Sequence, residues 1–184
     1  MNDKHSLHPF SGVSELIRQK RSSLALKRGY ISLLRNIVLM ALLILISFRF
    51  IFMIAVESGT NMYPAILDGD VLLGYRPDKN YIKNDVVICE IDGKNITGRV
   101  IAKAGDSVNI TDDGILYVNG TEQKGEIVFQ TFPKNQIYPF TVPEECIYIL
   151  GDYRTNTIDS RDFGAVKIKD VKAKVISIFR KRGI

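Results

Sequence analysis

Residues 57 to 70 read ESGTNMYPAILDGD, and the chemistry open to them turns on one position. Asn61 follows Gly59 and Thr60 and precedes Met62, with Pro64 close behind. A serine hydroxyl there would be placed to attack a carbonyl. The amide of asparagine donates and accepts hydrogen bonds but cannot attack. Metal chemistry finds no ligand set. The two histidines, His5 and His8, lie in the N-terminal tail, and two isolated cysteines, Cys89 and Cys146, do not make a zinc site. Each cysteine sits in an apolar run, VVICEI or ECIYIL, which suits a disulfide in an oxidising compartment and a buried free thiol equally. No cofactor is expected.

The elements that must position residue 61 begin with a membrane anchor. The chain has 184 residues and a net charge of +5, all of it in the first 35 residues. The remainder is neutral. A basic balance raises nucleic acid as a partner, but an excess confined to one N-terminal tail fits a membrane surface better. The apolar stretch YISLLRNIVLMALLILISF follows, and a helix from about residue 31 to 48 covers roughly 27 Å, enough to cross hydrocarbon. Arg35 and Arg49 then fall at its ends, where long side chains reach the interfaces. The basic region is too long for a cleavable signal peptide, and SFRFIF is a poor cleavage site. The expected division is a basic cytoplasmic tail (1–30), an anchor (31–49) and an extracellular domain (50–184), with the N-terminus kept inside by its charge. Residues 14–29 read as a weak amphipathic helix or as a partly disordered tail.

Beyond residue 50 the apolar runs shorten to strand length: 50–56, 71–76, 85–91, 96–103, 107–110, 115–118, 127–129, 146–150 and 172–179. Turn signals such as DGD, DGKN, AGD and VPEE separate them. Asn119-Gly120 suits the tight turn of a hairpin. An all-β domain of antiparallel sheet follows, large enough to bury its own core.

Three stretches of that domain resemble one family, the membrane-anchored type I signal peptidases. SGTNMYPAILDGD resembles the family's nucleophile motif of serine, methionine, any residue and proline. NITGRVIAKAGDSVNI resembles the segment in which a lysine precedes Arg-Val-Ile. GDYRTNTIDSRDFGAV, residues 151 to 166, resembles the signature Gly-Asp-Asn-Arg, Asp-Ser-Arg, Phe-Gly. The likeness covers nearly all of residues 30 to 180 and implies a signal-peptidase-like β domain. The family uses a serine nucleophile and a buried lysine base, whose desolvation brings its pKa toward the working pH. Alignment puts Asn61 at the serine and Gly98 at the lysine. Thr60 and Thr97 bear hydroxyls beside the two positions, but strand alternation aims neighbours to opposite faces. Lys94 and Lys103 lie four or five residues from Gly98. The resemblance further implies that Asp159 pairs with Arg161 and that Asp152 holds Arg99. Thr157 stands where the family has the serine that orients the lysine, and Tyr153 replaces the usual asparagine.

The implied reading is a chain that is not an enzyme. Asn61, Met62, Thr97, Gly98 and Thr157 would line a cleft for an extended peptide or a partner's loop, and Arg99, Asp152, Asp159 and Arg161 would serve as scaffold. Gram-positive pilus gene clusters encode signal-peptidase-like proteins beside pilins and sortases, some lacking the serine and lysine. Those set the expected role, a membrane-anchored chaperone or scaffold of pilus assembly with pilin subunits or sortase as partners. The alternative is an active serine endopeptidase that processes exported preproteins through an unconventional nucleophile.

Overall fold

The computed structural model describes residues 11–124 and 129–180. The chain falls into two units, residues 1–48 and 49–184. In the first, α1 (Ser11–Ile51) starts well before the expected anchor and continues past Arg49. From residue 14 to 28 its sequence holds no glycine or proline and is rich in Leu, Ala, Arg, Lys and Gln, all good helix formers. The tail from residue 11 is therefore helical, and Phe50 and Ile51 end the helix instead of opening a strand. Leu26–Ile51 is long and apolar enough to cross a membrane, about 39 Å at helical rise.

The strands of the second unit all pair antiparallel, as expected. Its strands are β1 (Phe52–Val56), β2 (Val71–Tyr75), β3 (Val86–Ile91), β4 (Lys94–Lys103), β5 (Ser107–Ile110), β6 (Leu116–Val118), β7 (Thr121–Glu122), β8 (Phe140–Thr141), β9 (Cys146–Leu150), β10 (Val166–Lys167) and β11 (Val171–Phe179). A seven-stranded sheet runs β1-β2-β11-β3-β4-β9-β10, and a four-stranded sheet runs β7-β6-β5-β8. The hairpin from β6 to β7 turns on Asn119 and Gly120, both with positive φ (51° and 74°), the conformation this dipeptide adopts readily. The strand expected at 127–129 lies largely outside the described residues. A four-residue helix, α2 (Ser160–Phe163), interrupts the β pattern, capped by Asp159 and closed by a reciprocal bond from Asp162.

β9 shows how the core is layered. All five of its residues are buried, and they alternate between two clusters. Cys146, Tyr148 and Leu150 join the cluster shared with the small sheet, and Ile147 and Ile149 join that of Val87, Cys89 and Val100. A third cluster, Met62, Ile66, Leu72 and Ile88, sits under the loop between β1 and β2. Each such buried aliphatic side chain contributes about 1.5–3 kcal/mol. Cys89 and Cys146 are free and buried, in different clusters. Burial pushes the Cys89 thiol up to about 12 and raises that of Cys146, so neither is a thiolate at neutral pH.

Candidate functional site

The loop from Glu57 to Asp70 is closed by its own backbone. Glu57 N–H donates to Asp70 O and Gly69 N–H to Glu57 O, both at 2.9 Å. Asp68 Oδ1 accepts from Gly59 N–H at 2.8 Å and Asp70 Oδ2 from Leu67 N–H at 3.0 Å. Asn61 is held from the other side, where its carbonyl accepts from Tyr153 N–H at 3.0 Å. Tyr153, the replacement for the family's asparagine, joins Tyr63 and Phe129 in a cluster of edge-on and tilted rings with centroids 4.9–6.5 Å apart. Met62, expected in the cleft, is fully buried in the third core cluster and anchors the loop from below.

A depression of about 140 Å³ lies between this loop and β4, lined by Met53 to Ser58, Asn61, Ile88, Asn95 and Thr97. Two strand edges border it. β1 ends the large sheet, and residues 94–98 of β4 pair with β3 on one side only, because β9 joins β4 from Arg99 onward. Both edges leave backbone groups that an extended peptide could pair with.

The structure brings Asn61 and Thr97 together in this depression and turns Gly98 away from it. Register decides the matter. Thr97 stands opposite Ile88, whose side chain belongs to the third cluster below the loop. Gly98 stands opposite Val87, which belongs to the cluster of Ile149. A Cβ at Gly98 would lie 3.0 Å from Ile149 Cδ1 and 3.2 Å from its Cβ. Alternation was expected to aim the Thr97 hydroxyl away from the cleft, but the register does the reverse: Thr97 faces the depression and Gly98 the core. Thr157 is buried, and among the described residues its hydroxyl has no hydrogen-bond partner. It crowds Gly151 together with the Asn61 carbonyl, which would lie 2.7 Å from any Cβ placed there. Lys134 Nζ donates to the carbonyl of Thr157 and pairs with Asp162 at 2.7 Å.

Both expected ion pairs are present. Arg99 Nε and Nη2 reach Asp152 at 2.8 and 2.5 Å. Asp159 and Arg161 are buried together at 2.8 Å. Arg161 also donates to the carbonyls of Phe132 and Arg154, so its guanidinium ties α2 to two loops. Sequence reasoning overlooked Arg154. It is buried, donates to Gly151 O and Thr131 Oγ1, and is lowered to about 10 by burial.

Glu57, Ser58 and Asn95 were also overlooked. Glu57 is 4% exposed and belongs to the wall of the depression. The signal for it was present: period two along MIAVE puts residues 53, 55 and 57 on one face, and Met53 and Ala55 pack on the third core cluster. Burial raises the Glu57 carboxyl above its ordinary range. A hydrogen bond from Thr97 opposes the shift, and the charges of Asp68 and Asp70 reinforce it.

Comparison with known proteins places these features. The family model described as "Signal peptidase, peptidase S26" matches residues 30–180. "Signal peptidase I" of Bacillus licheniformis is 27% identical over 150 residues, covering 74% of this chain and 80% of that protein. "Signal peptidase I" of Bacillus caldolyticus is 30% identical over 146 residues, covering 68% and 78%. A crystal structure of a signal peptidase I from Enterococcus faecalis V583 aligns with TM-score 0.44 and 28% identity, covering 53% of this chain and 97% of that one. These findings overturn the expectation of a chain that is not an enzyme, because the relatives it matches carry the names of enzymes. That expectation rested on Asn61 and Gly98 at the nucleophile and base positions beside an otherwise intact third motif.

Proposed function

The chain belongs to the signal peptidase family, peptidase S26, and on that premise we propose that it acts on exported polypeptides by holding one extended segment against the edges of β1 and β4. The observation that carries this reading is the depression between those edges. Its walls offer apolar contact from Ile54, Val56 and Ile88. Ser58, Asn61, Asn95 and Thr97 supply neutral donors and acceptors for a peptide backbone. Main-chain pairing at the edges would give affinity, and the depression would select side chains.

The polypeptides served are pilin subunits, passed on to a sortase. This part rests on the resemblance to the signal-peptidase-like proteins of pilus gene clusters, carried by Asn61 and Gly98. The anchor helix Leu26–Ile51 crosses the cell membrane with the basic N-terminus inside and the β unit outside, in keeping with the distribution of lysine and arginine.

A photo-crosslinking residue at position 61 of the full-length chain in intact membranes tests the proposal. An adduct with a pilin subunit is the expected result. The same probe at Ile137, exposed and outside the depression, should give none. The size of the captured chain reports in the same lane whether a bond has been cut. No adduct with any exported polypeptide from residue 61, or equal capture from residue 137, would refute the reading.

A further inference from the structure

We propose that the depression recognises a cationic side chain, lysine or arginine, on the segment it holds, and that Glu57 is the residue that reads it. This rests on the peptide-holding reading above and deepens it.

Glu57 is 96% hidden from solvent yet forms part of the wall. A buried carboxylate ordinarily has a cation or several N–H donors beside it. Glu57 has the Thr97 hydroxyl, and among the described residues no lysine, arginine or histidine forms an ion pair with it. Its charged neighbours, Asp68 and Asp70, are negative. Their carboxylates cap backbone N–H groups of the loop, so the loop's own fold keeps them beside Glu57. The residues lining the depression include no basic side chain.

The local field is therefore negative, and the cavity is sized for one side chain. An ammonium or guanidinium entering it would meet a carboxylate already stripped of water. The desolvation that opposes most buried ion pairs has, on the protein side, occurred during folding. The raised pKa of Glu57 fits the same account, since an arriving cation favours the charged form that burial disfavours. An acidic segment would be repelled, which gives the depression selectivity by charge as well as by size.

The test uses the full-length chain in detergent micelles and a fluorescent ten-residue peptide of alanine, serine and valine. Lysine, norleucine, acetyl-lysine or glutamate is substituted at each position in turn. At one position lysine should bind about tenfold tighter than norleucine. Acetyl-lysine, which keeps the lysine stem but carries no charge, should lose the advantage over norleucine, and glutamate should bind more weakly. In Glu57→Gln the advantage of lysine over norleucine should vanish. Tight binding by acetyl-lysine, a lysine advantage that survives Glu57→Gln, or no advantage at any position would overturn the inference and leave the peptide-holding reading intact. The acetyl-lysine comparison decides the point on the wild-type chain even if Glu57→Gln does not fold. Failure of every peptide to bind would overturn both.

Discussion

Asp159 and Glu57 are almost equally hidden, at 1% and 4% exposure, and they keep opposite company. Asp159 accepts four hydrogen bonds, from Gly151 N–H, Arg161 N–H and two guanidinium nitrogens of Arg161. It caps α2 and belongs to a network that reaches Arg154 and Thr131. Glu57 has one hydroxyl and two negative neighbours. Burial alone therefore does not define a carboxylate's role. The first is paired with a cation, whereas the second meets none among the described residues.

Removing a partner from the complete site should have the largest effect. Arg161→Met keeps much of the volume but strands the Asp159 charge, and should cost about 3–5 kcal/mol. The denaturant midpoint of the full-length chain should fall accordingly. A loss under 1 kcal/mol would mean that Asp159 is satisfied without its cation, and the contrast between the two acids would weaken.

The face of β4 comes next. Gly98→Ala places a methyl against Ile149 and should cost about 1–2 kcal/mol. Combining it with Ile149→Ala should cost less than the two single losses together, because the smaller neighbour makes room. Strict additivity in denaturant melts would show that residue 98 faces the depression after all.

The smallest effect should have the opposite sign. The Glu57 carboxyl is raised above its ordinary value of 4.5. The stability linked to it is complete below that value and is lost as pH rises through the raised, folded value. Glu57→Gln should therefore be more stable than the parent chain at pH 7, by a few degrees in melting temperature. The gain should shrink to nothing near pH 4. Destabilisation at pH 7 would place Glu57 with Asp159, as an acid the fold already satisfies.

Much of this was legible in the residues. The motif around Asp152, Asp159 and Arg161 foretold both ion pairs, and Asn119-Gly120 foretold its hairpin. Period-two runs located the longer strands. β8 and β10 escaped notice because two residues carry no period, and they exist only as neighbours of β5 and β9. The facing of Thr97 and Gly98 was hidden for a different reason. Alternation separates neighbours but does not say which one faces inward. That is settled by pairing with β3, at a distance no local pattern encodes. The helix before residue 30 was legible from propensity and was underrated because its surface is polar.

Asn61 occupies its place through its carbonyl, which Tyr153 grips and Gly151 leaves no space to shift. Among the described residues, no hydrogen bond of its side chain adds to that hold. A lineage could exchange the group displayed at this position many times over, and each newcomer would be presented from the same spot. In this chain, chemistry at residue 61 can be rewritten without redrawing the loop that carries it.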